Sequence, residues 1–182
     1  MRRFAFVVFG VGSLALAGQA LAQETDSATF TASATTQEAI SVVCSRNLSF
    51  GTLAVQKTGG SQTTVDVPAT SGGTATSTGA SVYVVEAGQS ALCTVSGEDN
   101  TGTADGTASL ASGGAVFTGT TLAAVPLDDT GAGTGTLSAD IELSQAAAVG
   151  NGDLYIGGTL TIPANHAVYT TYEATVTLTV TD

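Results

Sequence analysis

One histidine, two cysteines and a scatter of acidic turns are the residues of this chain with the types to do chemistry. His166 sits in "PANHAVY". A hydrolytic set would need an oriented serine and a carboxylate around it, and no G-x-S-x-G occurs. His166 therefore reads as a surface-loop residue. "GAGTGT" (131–136) has the glycines of a phosphate loop but no lysine, and no helix follows it. Asp99 and Asp105 in "EDNTGTADG", and the pair Asp128 and Asp129, are oxygen-rich positions of the kind that bind calcium. Neither group matches the spacing of a twelve-residue calcium loop, so they read first as solvated turn acids. Asp140 and Glu142 share a strand face, but such a pair alone does not make a glycosidase. Asn47-Leu48-Ser49 fits a glycosylation sequon, a three-residue match that chance often supplies. No enzyme, cofactor or resident metal is expected from this inventory.

The other chemically capable pair is Cys44 and Cys93. Their meaning depends on compartment. "MRRFAFVVFGVGSLALAGQALAQ" has a basic start, a short apolar run and a small-x-small ending at Ala20 and Ala22. That is the pattern of a secretory signal peptide over 1–22, cut before Gln23. An exported chain with an isolated cysteine pair most simply forms one disulfide. CxxC spacing, which would suggest a metal or redox pair, is absent.

Removing 1–22 leaves 160 residues, the size of one domain. Of the basic residues only Arg46 and Lys57 remain, against fifteen acidic ones, for a net charge near −13. Such a surface repels nucleic acid and anionic lipid. No later stretch is long and apolar enough for a membrane-crossing helix.

The elements that must position these residues read as strands. Thr, Val and Gly dominate, and no convincing helical periodicity occurs beyond a weak trace in "IELSQAAAVG". Strands are expected at 27–35, 39–45, 49–55, 63–69, 80–88, 90–97, 107–111, 115–129, 137–145, 153–164 and 169–181, with 71–79 as a loop. Asn151-Gly152 is the strongest hairpin signal. The clearest alternation closes the chain: Tyr172, Ala174, Val176, Leu178 and Val180 on one face, Glu173 and threonines on the other. This last strand is expected to be core and to pair with "YIGGTLTIPA". About nine or ten short strands among these eleven segments suggest an all-β sandwich or barrel.

"NLSFGTLAV", "ALCTVSGEDN" and "LYIGGTLTIPANHAVYTTYEATVTLTV" together resemble the landmarks of a bacterial secreted family, domain of unknown function 4402. The matching positions are Leu48, Phe50, Gly51, Leu154, Ile156, Gly157, Gly158, Leu160, Ile162, Ala164, Tyr169, Val176 and Val180. The likeness covers about residues 40–181. That family has no agreed activity. Its layout is similar to that of chaperone–usher pilins and related fimbrial subunits. The resemblance implies an immunoglobulin-like, pilin-like antiparallel sandwich over 37–182, preceded by an N-terminal extension over 23–36. In such pilins the sandwich lacks one strand, and the extension of the next subunit fills the gap. Ala28, Phe30, Ala32 and Ala34 have the spacing of a donor strand, though 27–35 could equally open its own sandwich.

Two functions are expected from this reading. The first is an exported structural subunit of a surface filament or matrix, secreted through the periplasm. It would partner copies of itself or related subunits by strand exchange, with a periplasmic chaperone and an outer-membrane usher. The alternative is a monomeric secreted binding module or adhesin that recognises calcium or carbohydrate through its acidic loops.

Overall fold

In the computed structural model of the chain, residues 31–34, 39–56, 61–97, 106–131, 136–164, 166 and 170–181 are described below. The chain divides into two compact units, Met1–Thr35 and Thr36–Asp182. In the first, residues 31–34 belong to no strand and are exposed. The expected strand over 27–35 is therefore not formed at 31–34. Its remaining positions, Ala28 and Phe30 included, lie outside the described residues, as does the expected signal peptide.

The second unit is all-β, with fourteen strands among the described residues. In chain order they are β1 (Ser41–Arg46), β2 (Ser49–Val55), β3 (Thr63–Val67), β4 (Thr76–Thr78), β5 (Val82–Gln89), β6 (Ala91–Ser96), β7 (Gly106–Ala111), β8 (Val116–Thr118), β9 (Thr121–Asp129), β10 (Thr136–Leu143), β11 (Ala147–Val149), β12 (Gly152–Ile162), β13 (Tyr172–Glu173) and β14 (Thr177–Thr181). The number exceeds nine or ten because short strands appear beside the long ones. β4 lies within the expected loop, and the 115–129 stretch folds back on itself as the β8–β9 hairpin.

The strands form one large antiparallel sheet and two small ones. The large sheet runs β1-β6-β12-β10-β9-β13, with β3 beside β12, β4 on β3 and β8 on β9. The small sheets are β11-β7-β14 and β2-β5. Alternation in the sequence sets which side chains face inward. In β10 every second residue is buried: Leu137, Ala139, Ile141 and Leu143. β12 does the same with Leu154, Ile156, Leu160 and Ile162. Val82 of β5, Ala108 and Leu110 of β7 and Val149 of β11 join that same core. Both small sheets thus contribute to one sandwich-like core with the large one.

β12 is the spine of the large sheet. Its first half pairs with β6, from Gly152↔Val95 to Ile156↔Ala91. Its second half pairs with β3, from Gly158↔Val67 to Ile162↔Thr63. Gly157 sits at the change of partner, where a Cβ would lie 2.2 Å from the Val67 carbonyl oxygen. Only glycine fits that approach. Gly51 plays a related part in the β2–β5 pair. Its φ is +82°, and a Cβ there would lie 2.1 Å from the Glu86 carbonyl oxygen. Elsewhere the β9–β10 ladder carries a bulge between Ala139 and Ile141. Ala124 opposite it has a φ of 56°. Its N–H donates to Asp140 Oδ1 at 2.8 Å, so this carboxylate braces the bulge.

Two expected features of the C-terminal half are corrected. Asn151-Gly152 makes no two-residue hairpin turn. Gly152 has positive φ but Asn151 does not, and the preceding strand β11 pairs with β7 rather than β12. The final strand is not continuous, and it does not pair with "YIGGTLTIPA". Its first piece, β13, pairs with β9 in the large sheet, and its second, β14, pairs with β7 in a small sheet. The chain changes layers across 174–176, so one alternating stripe serves two sheets.

Candidate functional site: an open groove

β2 and β14 are edge strands. Among the described residues β2 pairs with β5 alone and β14 with β7 alone. Both line one open groove of about 1490 Å³. Its wall on the β2 side carries Leu48, Phe50, Leu53 and Val55, all half-buried. Val176 and Leu178, also half-buried, line the groove as well. Beneath lie core residues of the large sheet, including Cys93, Ile141, Ile156 and Leu160. The groove therefore combines an apolar lining with two strands that each have an unpaired edge. Unpaired backbone N–H and C=O groups beside apolar surface form a template for another strand.

Of the expected final-strand residues, Tyr172, Ala174, Val176 and Leu178 line this groove. Tyr172, Val176, Leu178 and Val180 are half-buried and pack against the core cluster, and Ala174 is exposed. The alternation of the sequence is real, but its inner face is only partly covered.

The expected disulfide is present between Cys44 and Cys93. The two cysteines are directly opposed in the β1–β6 ladder. Cys93 is 1 % exposed, whereas Cys44 is exposed, and both line the groove.

The chemically capable residues fall at two ends of the groove. Arg46 ends β1 and is half-buried. Its Nε donates to the Ser90 carbonyl oxygen at 2.7 Å and its Nη2 to Ser90 Oγ at 3.3 Å. Ser90 is itself completely buried, and its hydroxyl donates to the Thr70 carbonyl oxygen at 3.0 Å. One edge of the guanidinium is thus fixed by a buried serine. Nothing in the spacing of the sequence announces this contact, because it joins residues 44 positions apart.

His166, Tyr172 and Asp129 meet at the other end. His166 Nε2 and the Tyr172 hydroxyl are 2.9 Å apart. Asp129 Oδ1 accepts from Thr170 Oγ1 at 2.5 Å and from the Gly131 N–H at 2.7 Å. Burial, and then the charge of Asp129, raise the Tyr172 phenol above its ordinary pKa. These contacts fasten the start of β13 to the end of β9, and no oriented nucleophile belongs to the set. Of the candidate calcium ligands, Asp128 and Asp129 close β9, while Asp99 and Asp105 lie outside the described residues. Among the described residues no three His, Cys, Asp or Glu side chains stand together as a metal would need.

Comparison with curated proteins and with solved structures gave no match. The model of a family described as "Domain of unknown function (DUF4402)" matches residues 40–181. The chain belongs to that family.

Proposed function

We propose that this DUF4402 chain is an exported structural subunit of a bacterial surface filament or extracellular matrix, assembled by β-strand addition. The observation that carries the reading is the pair of edges, β2 and β14, that stay unpaired among the described residues on one apolar groove. A strand laid between them would extend β5-β2 on one side and β14-β7-β11 on the other. Main-chain hydrogen bonds would supply affinity, and alternate side chains entering the groove would supply specificity. The signal-peptide pattern over 1–22 supports export. The alternating stripe Ala28, Phe30, Ala32 and Ala34 supports a donor segment, and its described part, 31–34, belongs to no strand and is exposed. The partners in this reading are copies of the chain or related subunits, with a periplasmic chaperone covering the groove before an outer-membrane usher passes the subunit on.

The test uses the mature chain from Gln23. Light scattering across a concentration series should show concentration-dependent association, and a chain lacking 23–36 should stay monomeric. A full-length chain that remains a monomer throughout, with the deletion changing neither folding nor surface fibres, ends the reading.

A further inference from the structure

We propose that Arg46 is a carboxylate-binding residue that sets the direction and register of the entering strand, taking Asp26 of a second copy. The proposal rests on the strand-addition reading and adds a specificity-determining contact to it.

Arg46 is the one Lys or Arg among the described residues, in a chain with fifteen acidic residues. It lines the groove and is half-buried, yet none of the described carboxylates pairs with it. Its Nε and one Nη2 hydrogen are directed at Ser90, which holds the group in place. The remaining N–H donors are available to an acceptor entering the groove, and a carboxylate suits their fork geometry.

The N-terminal segment carries that acceptor in phase with its apolar stripe. Residues 28, 30, 32 and 34 share a strand face with Asp26, which is two positions upstream. A strand that turns Ala28 and Phe30 toward the groove also turns Asp26 inward. An inward carboxylate needs a partner when it leaves water.

The ladders place Arg46 and the groove's acids far apart. Arg46 pairs with Leu92, which pairs with Tyr155 of β12. Glu173 pairs with Asp128, which pairs with Thr136 of β10. Ser138, two residues further along β10, pairs with Thr161 near the end of β12. Tyr155 to Ile162 is about 23 Å at roughly 3.3 Å per residue. Asp26 to Ala34 spans about 26 Å on the same basis, so the segment fits the groove from Arg46 to the acidic end. Entering with Asp26 at Arg46 sends the strand in the direction of β2, which starts three residues after Arg46. The reverse entry would bring Asp26 toward Asp128 and Glu173, where like charges repel. A two-residue slip would set Glu24 at Arg46 but carry Asp26 into the apolar stretch of the groove.

The test compares variants of the full mature chain by their association constants, with each variant's melting temperature recorded. Asp26→Asn should weaken association about tenfold, as loss of a charge-assisted hydrogen bond does, and Asp26→Lys should weaken it further. Glu24→Gln should leave it unchanged. Adding Asp26→Asn to Arg46→Gln should cost nothing beyond Arg46→Gln alone. Because Arg46→Gln also loosens Ser90, the contrast between Asp26 and Glu24 decides the matter if that variant folds poorly. Equal association of wild type, Asp26→Asn and Asp26→Lys overturns the proposal. In that case Phe30→Asp still abolishes association if strand addition itself is right. If the wild type never associates, the reading and the proposal fall together.

Discussion

Leu178 stands directly opposite Leu110 in the ladder that joins β14 to β7. Leu110 is 3 % exposed, whereas Leu178 is half-buried at the open side. Truncating leucines of this chain should therefore have unequal effects. Leu154→Ala, at a fully buried site beside Cys93, should cost about 2–5 kcal/mol of unfolding free energy. Leu178→Ala should cost the free subunit well under half as much, because less apolar area is lost from burial. Its larger effect should fall on association. Urea unfolding and light scattering of the two variants separate these effects.

Gly157→Ala places a methyl group against the Val67 carbonyl, the Ala69 nitrogen and the Pro68 carbonyl carbon. All three are backbone atoms at the end of β3 and just after it, so this stretch cannot keep its place on β12. A loss of about 1–3 kcal/mol is expected, read as a lowered melting temperature. Gly72→Ala, at a turn with open space around it but a φ of +73°, should cost only its backbone strain, about 1 kcal/mol.

Tyr172 gives the fold a dependence on alkaline pH. Its folded pKa is raised above the unfolded value of 10.0, by burial first and by Asp129 second. The protonated phenol is therefore the form the fold favours. Its contribution is fully present below pH 10.0 and is lost as pH rises through the folded pKa. Absorbance of phenolate against pH should show a late component that Tyr172→Phe removes. The same substitution should flatten the fall of the melting temperature above pH 10.0.

The disulfide offers a readout of groove occupancy. Cys44 is exposed in the open groove, so a thiol reductant should reach the bond in the folded free subunit. A strand occupying the groove should slow that reaction. Converting both cysteines to serine should cost about 4 kcal/mol by loop entropy for a bridge spanning 49 residues. Mass-spectrometric quantification of free thiols in associated and dissociated protein checks the first point, and thermal unfolding checks the second.

Much of the strand content is legible in the sequence because alternation reports directly on faces. Ser49–Val55 has the expected bounds, and the inward residues of β10 and β12 are those the two-residue period selects. The motif glycines are also intelligible in retrospect, since Gly51 and Gly157 lie where another backbone passes too close for a Cβ. Partners are not legible in the same way. The stripe from Tyr172 to Val180 says which side chains agree in direction, but β13 and β14 find different neighbours because β9 and β7 lie in different sheets. Asn151-Gly152 has the residues of a tight turn, yet β11 is drawn away to β7 by a distant ladder. The Arg46–Ser90 contact has no local signature at all, and it emerges only once β1 and β6 are in register.

The position of β12 has a kinetic consequence. Three ladders, with β6, β3 and β10, converge on residues 152–162, and two of them reach back to strands before residue 97. β1 and β6 can meet early, but the large sheet has no middle until this one segment arrives. Folding is accordingly a problem of distant parts finding each other, with a high contact order and a correspondingly slow closing step. During that interval the alternating strands of the first half wait with their inner faces wet, and the chain is most open to pairing with a neighbour.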